Sequence, residues 1–236
     1  MSAFLSDIEL YFAPAGANAD NLLILHDEEA KHCARVMRHK PGDMVYCTDG
    51  KGNLYTTELA EISSQSVTLN MQSKVQYPNQ SGQMTVVLPV LRNPDRMEFA
   101  LEKCTELGVT RFMVYAADRS VAKGMKTERW EKIVLAAMKQ SLQMYLPVIS
   151  TPGKLKDVLK VSSNEGAEVV YFHQQTEIQL KDHSFVSPHY LVFGPEGGFS
   201  ENELYLLSGY NGLQLTSNRL RAETAITSAL AAIVLK

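Results

Sequence analysis

The chain has 236 residues, of which 45% are hydrophobic and 21% charged, with a net charge of −3. That length and composition suit one large globular domain or two smaller ones, and the slight acidity excludes nucleic-acid binding by bulk charge. No apolar run reaches the roughly 18 residues a membrane span needs.

The N-terminus, Met1–Ser2–Ala3–Phe4, lacks the basic region and apolar core of a secretory signal. Cys33, Cys47 and Cys104 are scattered, odd in number and without Cys-x-x-Cys spacing. They read as free thiols in a reducing compartment, which predicts a cytoplasmic protein. Through Lys74 there are 6 Lys/Arg against 10 Asp/Glu, and from Gly82 onward 17 against 16. Neither part is basic overall, so any RNA contact has to come from a local patch.

Residues 1–74 read as short strands and turns with one helix. Leu22–Leu25, Val45–Thr48, Leu54–Leu59 and Ser66–Met71 are strand-like. Pro41–Gly42–Asp43 is a turn, and Asp49–Gly50–Lys51–Gly52–Asn53 a hairpin turn. Such a series predicts a small β-barrel or sandwich. The helix is expected from an N-cap at Asp27 to about His39, stopped by Pro41. Lys31, Arg35 and Arg38 then share one face, flanked by His32 and His39, while Ala30, Cys33, Val36 and Met37 seat the other face on the barrel. Two readings of the stripe stay open: a solvated charged face, or a ridge that contacts phosphates.

Residues 75–83, with Pro78, Asn79, Ser81 and Gly82, are polar and turn-rich and form the expected linker. From Met84 onward the strand-like segments Met84–Leu91, Arg111–Tyr115, Glu168–Phe172, Tyr190–Phe193 and Gly212–Leu215 alternate with helical patterns. That alternation predicts an α/β domain with a mainly parallel sheet over residues 84–236. Asn93 caps a helix with Pro94 in its first turn; Met97, Ala100, Leu101, Cys104 and Leu107 face its core side, and Gly108 ends it. Arg92 and Arg96 flank that helix start, either as anion contacts or as plain surface residues. Arg119 opens a loop containing Lys123, Lys126 and Arg129, and a further helix is expected from Thr127 to about Met144. Lys156 and Lys160 fall in a short helix without chemical signal.

His173 follows a buried strand, where open α/β sheets place ligands, so it is a candidate for lining a site, with a structural histidine as the alternative. His26, His183 and His189 make no metal-ligand spacing, and no metal is expected. In Tyr190–Ser200 an apolar run breaks into the loop Gly194–Pro195–Glu196–Gly197–Gly198, and Ser200 with Glu203 fits a capping box. Glycine strips the loop of side chains, so it is either a tight turn or a cradle in which a ligand reaches backbone N–H groups. Arg219–Thr224 leads into a last helix, Ala225–Leu235, apolar nearly all round. A helix of that kind has to be covered on every side, and a second copy of the chain would cover it, so a homodimer is expected.

Gly194–Gly198, then Leu215, then Leu220–Arg221–Ala222–Glu223–Thr224 resemble the signature of the bacterial 16S rRNA uridine N3-methyltransferase family, of the SPOUT class. Further matches are His32, Val36, Arg38, Gly42–Asp43, Asp49–Gly50, Arg96–Met97–Glu98, Glu106–Leu107–Gly108, Arg129–Trp130, Gln140–Ser141 and Pro147. The resemblance runs in order over essentially the whole chain. It implies a PUA-like RNA-binding β-barrel followed by an α/β domain tied in a deep trefoil knot, with S-adenosylmethionine held in the knot and two subunits completing the site. Knotting is something physical reasoning alone would predict against.

Transferred to this sequence, the resemblance puts the cofactor against His173, Gly194, Pro195, Glu196, Gly197, Gly198, Leu215, Leu220, Arg221 and Thr224. Arg221 would stabilise the charge on uracil, and Glu223 or Glu196 would accept the N3 proton, although either carboxylate also suits a capping or bracing role. Lys31, His32, Arg35, Arg38, Arg92, Arg96 and Arg119 are the RNA-contacting candidates, with 16S rRNA of the small ribosomal subunit as partner. Lys139 and Gln143 stand where the family more often has Glu and Arg, and Thr216 and Asn218 where it has Gly and Arg. Two other readings stay in view. One is a noncatalytic RNA- or ribosome-binding protein on the same fold. The other is a nucleotide-phosphate enzyme, disfavoured because no Lys–Ser/Thr pair follows the glycines.

Overall fold

The computed structural model of the chain describes residues 8–120, 124–185 and 187–235. Met1–Phe4, read above for a leader, and Lys123 lie outside the described residues. The chain forms two compact units, Met1–Asn79 with Met138–Leu146, and Gln80–Ala137 with Pro147–Lys236.

The first unit holds a five-stranded sheet of β1 (Leu10–Phe12), β2 (Leu22–His26), β3 (Met44–Thr48), β4 (Asn53–Ile62) and β5 (Ser66–Gln76), in the order β1-β3-β4-β5-β2. β1 runs parallel to β3 and the other pairs are antiparallel. Strand alternation supplies the core: Leu23 and Leu25 of β2, Val45 and Cys47 of β3, Tyr55 and Leu59 of β4, Val67 and Leu69 of β5. The β3–β4 hairpin turn is the expected one, and it is tightly built. Buried Asp49 accepts from Lys51 N–H at 2.8 Å, Asn53 Nδ2 at 2.6 Å and the Tyr55 hydroxyl at 3.1 Å. Burial alone would raise its carboxyl pKa, but these hydrogen bonds hold it below the usual carboxylate range. Gly52 sits at φ +96°, and a Cβ there would run into the Tyr145 ring.

Three features of this unit differ from the sequence expectation. β1 escapes it, being only three residues long. β5 continues to Gln76, because Ser73–Gln76 still pair with Asn53–Thr56, so the strand uses residues expected to belong to a linker. The single helix from Asp27 to His39 is also corrected. His26 is the N-cap, α1 covers Asp27–Lys31, and a π-helical turn follows over His32–Val36. Met37 N–H bonds to the His32 carbonyl at 2.9 Å, and Arg38, at φ +58°, leaves the helix. A five-residue turn breaks the i+4 stripe. Ala30 and Cys33 face the core as expected, but Val36 and Met37 are exposed at 65% and 44%.

The second unit contains β6 (Met84–Pro89), α2 (Pro94–Glu106), β7 (Arg111–Tyr115), α3 (Thr127–Gln140), β8 (Val148–Gly153), α4 (Leu155–Asn164), β9 (Glu168–Phe172), β10 (Ile178–Gln179), β11 (His189–Val192), α5 (Glu201–Leu207), β12 (Asn211–Gln214) and α6 (Ala222–Val234). α3 crosses the division, its last residues grouping with the first unit. The seven strands are all parallel, in the order β10-β12-β9-β11-β6-β7-β8. Central strands are near-continuous apolar runs because both faces are covered; every residue of β6 and β11 is buried.

Asn93 caps α2 through its side chain, and Ser200 with Glu203 forms the expected capping box on α5. The expectation missed the edge strands β8 and β10, one half-exposed and the other two residues long. It also carried α3 to Met144, whereas the helix ends at Gln140 and Leu142 takes φ +56° without a glycine to mark the stop. α6 packs on α2, and its Ile226, Ala229 and Leu230 are fully buried. The helix is not covered all round within one chain: Ala232 is exposed, as are Val234 and Leu235 at 38% and 75%. Cys33, Cys47 and Cys104 are free and buried. Among the described residues, no helix is long and apolar enough to cross a membrane, and no group of three or more His, Cys, Asp or Glu could hold a metal ion.

Candidate functional site

In a parallel sheet all strands end at the same edge, and the connecting loops gather there. The loops after β9, β11 and β12 meet at this carboxyl edge, with Arg96 of α2 beside them, in a cavity of about 720 Å³. Its base is aromatic: the Phe172 and Phe193 rings, from the ends of β9 and β11, stack at 4.6 Å and 13°. The glycine loop forms one wall. Tyr115 donates its hydroxyl to the Phe193 carbonyl at 2.9 Å, fixing the loop's origin, and Gly198 N–H closes a turn onto the Pro195 carbonyl at 2.8 Å with φ +71°.

Neighbouring loops hold that wall from outside. Glu196 Oε1 accepts from Arg92 N–H at 3.1 Å, and Arg119 Nη1 donates to the Gly197 carbonyl at 3.2 Å. The glycines are needed for this closeness. A Cβ on Gly197 would lie 3.3 Å from Arg119 Cβ, and one on Gly194 would lie 3.2 Å from the Phe199 ring. Glu203, 3% exposed, accepts from both Asp118 N–H and Ser200 N–H, so it joins the loop after β7 to the start of α5. Asp118 in turn receives Ser200 Oγ and Lys154 Nζ, which together hold its carboxyl below the usual range.

The opposite wall is Arg219–Ala222 with Ala225, at the start of α6. Arg221 is the N-cap residue and is exposed. Glu223 lies in the first helical turn, where a carboxylate is favoured. Its Oε1 is 3.4 Å from Arg96 Nε, while Oε2 is buried without a hydrogen-bond partner. His173 takes the Leu213 carbonyl with its N–H, and its Nδ1 accepts from Gln175 N–H at 3.4 Å. Burial lowers its pKa, which favours the neutral ring.

The structure therefore brings His173, Gly194–Gly198, Leu220, Arg221 and Arg96 to one cavity. Leu215 lines a smaller adjoining space of about 90 Å³ that shares Phe172, His173 and Leu220 with it. Thr224 lines neither. Arg92 and Arg119 reach the site by gripping the glycine loop. Gln174, Gln175 and the aromatic base were missed, although a strand end directly before His173 was the signal available. The atypical Thr216 and Asn218 shape the loop after β12: Thr216 Oγ1 accepts from Asn218 N–H at 3.3 Å, and the Asn218 carbonyl accepts from Gln174 Nε2 at 3.0 Å.

In the first unit, Lys31 pairs with Glu28 at 2.7 Å, and His32 Nδ1 lies 3.5 Å from Glu9. Lys31 and Arg35 line a common cleft, and Arg38 lies outside it. Lys139 is committed to Glu29 at 2.7 Å and sits over the Tyr11 ring, so in this chain it braces α1.

Residues 78–234 match the RNA methyltransferase domain family, and residues 25–72 match the RNA methyltransferase PUA domain family. The ribosomal RNA small subunit methyltransferase E of Aquifex aeolicus is 30% identical over 215 residues, 88% of this chain and 92% of that one. Its Bacillus subtilis counterpart is 29% identical over 225 residues, 87% of each chain. Among solved structures, a ribosomal RNA small subunit methyltransferase E from Neisseria gonorrhoeae bound to S-adenosyl methionine superposes with a TM-score of 0.85 at 26% identity, covering 96% of both chains. A probable rRNA-methyltransferase from Porphyromonas gingivalis gives 0.85 at 28%, covering 96% and 97%. With most of its length matched by the family and its fold shared from end to end, the chain belongs to the PUA-containing RNA methyltransferases.

Proposed function

We propose that the protein uses S-adenosylmethionine to methylate N3 of a uridine in 16S rRNA of the small ribosomal subunit, as a SPOUT-class enzyme. The carrying observation is the cavity at the carboxyl edge, walled by the bare backbone of Gly194–Gly198 and rimmed by arginines. Its fit to the cofactor is testable on the structure itself: a Cβ at Gly194 or Gly197 would crowd Phe199 or Arg119 at 3.2–3.3 Å, so these two positions favour glycine and leave backbone polar groups open between Pro195 and Glu196. Phe172 and Phe193 give an apolar base for an adenine, and Leu220 and Leu215 continue it.

S-adenosylmethionine, when bound, supplies a methyl group already activated on sulfonium. The chain's own residues hold and orient the reactants and manage charge and proton on uracil. Arg221, exposed on the cavity wall, stabilises the negative charge that spreads to the uracil oxygens as N3–H ionises. Glu223, whose Oε1 lies beside Arg96 and whose buried Oε2 has no hydrogen-bond partner, lines neither cavity and would need to turn toward the substrate to accept the proton. Glu196, which lines the cavity and uses Oε1 on Arg92 N–H, is the alternative acceptor. His32 and Arg38 join Lys31, Arg35, Arg92, Arg96 and Arg119 as RNA contacts.

The working form is a homodimer in the cytoplasm. Its support is the bare outer stripe of α6 and the exposed Phe99 of α2, together with three free thiols. A deep trefoil knot is supported by the strand order, since β11 enters between β9 and β6 instead of extending an edge. Calorimetric titration with S-adenosylmethionine and with its demethylated product tests the reading. Micromolar binding of both is expected; no binding of either would favour a noncatalytic RNA-binding protein.

A further inference from the structure

The wall opposite the glycine loop is lightly tied. It is the connection from β12 to α6, which supplies Leu215, Leu220 and Arg221 to the two cavities. Among the described residues, 216–220 make no backbone-to-backbone hydrogen bond. The bond from Asn218 N–H to Thr216 Oγ1 is internal to the loop. The Asn218 carbonyl, accepting from Gln174 Nε2 at 3.0 Å, is therefore its hydrogen-bonded link to the loop after β9. That link is itself held. Gln214, the last residue of β12, donates Nε2 to the Gln174 carbonyl at 2.8 Å, and its Oε1 accepts from Gln179 Nε2. Gln179, on the edge strand β10, is the register partner of Gln214 in a parallel pair, so the two side chains share one face of the sheet. The loop after β9 comes this close because Gly212 has no side chain: a Cβ there would lie 2.5 Å from Thr176 Cγ2.

The three amides run in one direction. A carboxamide has a donating end and an accepting end, and Gln214 faces an acceptor, the Gln174 carbonyl, on one side. Its nitrogen has to take that side, which turns its oxygen toward β10, where a donor is required. Gln179 is that donor. With an acceptor in its place the Gln214 amide turns round, and its oxygen then confronts the Gln174 carbonyl. We propose that Gln179, Gln214 and Gln174 are positioning residues, a one-way relay from the sheet's edge that holds the wall at Leu220 and Arg221 ready for the cofactor. The proposal rests on the S-adenosylmethionine reading for the ligand of the cavity, but not for the relay itself.

The test uses the full chain with changes at Gln179, which lines neither cavity. Gln179→Glu removes the donor and should weaken S-adenosylmethionine and its demethylated product alike, about fivefold by calorimetry, and Gln179→Leu about threefold. Gln179→Lys restores a donor and should stay within about twofold of wild type. Simple charge attraction demands the reverse order for the cationic S-adenosylmethionine, with Glu tightening it and Lys weakening it, and little change for the product that has lost the sulfonium. The KM for S-adenosylmethionine should rise by the same factors while kcat changes less than about twofold. Without ligand, hydrogen–deuterium exchange over residues 215–221 should speed about fivefold in Gln179→Glu and keep its wild-type rate in Gln179→Lys. Wild-type affinity and exchange in Gln179→Glu, the charge order, or equal losses in all three variants would each overturn the relay. Exchange that follows the donor with unchanged affinity would overturn its positioning role. A wild type that binds neither cofactor nor product while exchange follows the donor refutes the cofactor reading alone. A wild type that binds both, while affinity and exchange ignore the donor, refutes the relay alone.

Discussion

Glu196 in the glycine loop accepts a hydrogen bond from the backbone N–H of Arg92, a residue 104 positions earlier in the chain. Together with Arg119 on the Gly197 carbonyl, it fixes the loop from two neighbouring connections. Glu196 is therefore a brace. Glu196→Ala should lower S-adenosylmethionine affinity about fivefold, the worth of one exposed charge-assisted bond of ~1 kcal/mol. Glu196→Gln, which still offers a carbonyl acceptor, should stay within twofold by calorimetry. Equal losses in both would show that the charge acts on the cofactor directly.

Arg221 and Glu223 are expected to separate chemistry from binding. Arg221→Ala and Glu223→Gln should each cut the single-turnover methylation rate at least about a hundredfold, in the range of lost electrostatic or general-base catalysis. Cofactor affinity should change less than threefold. If Arg96→Ala abolishes transfer while Glu223→Gln retains it, Glu223 only positions Arg96 and the proton goes elsewhere.

Asp49 links pH to stability in the first unit. Its folded pKa is lowered, so its contribution is present above the unfolded carboxylate value of about 3.9 and is lost as pH falls through the folded value. Asp49→Ala should cost about 2–3 kcal/mol in urea denaturation at pH 7, because it leaves Asn53, Lys51 N–H and the Tyr55 hydroxyl without their acceptor. The gap between wild type and variant should narrow progressively below pH 4. A gap independent of pH would contradict the assignment.

The outer stripe of α6 predicts association. Light scattering should give twice the chain mass of 26.3 kDa at micromolar concentration. Ala232→Glu, at an exposed position in mid-stripe, should return the single-chain mass and remove methyl transfer. A monomeric wild type would contradict the dimer.

Legibility in the sequence followed the range of the forces involved. Arg111–Tyr115 and Glu168–Phe172 were read to the residue because buried parallel strands are unbroken apolar runs, and Asn93 and Ser200 were read because caps are local. The π turn at His32–Val36 and the αL residue Leu142 carry no side-chain signature, so both helix ends were misplaced. The glycine loop and Arg221 were visible as motifs, but the stacking of Phe172 on Phe193 and the Arg92–Glu196 bond join residues that sequence proximity cannot pair. Glu223 and Thr224 were carried over with their motif, and the cavity includes neither.

The central claim is the position of methylation. Small ribosomal subunits lacking the modification, incubated with the protein and isotopically labelled S-adenosylmethionine, should yield labelled N3-methyluridine on nuclease digestion and mass spectrometry of the 16S rRNA. Label on a ribose 2′-oxygen, on another base atom, or nowhere in the RNA would contradict it.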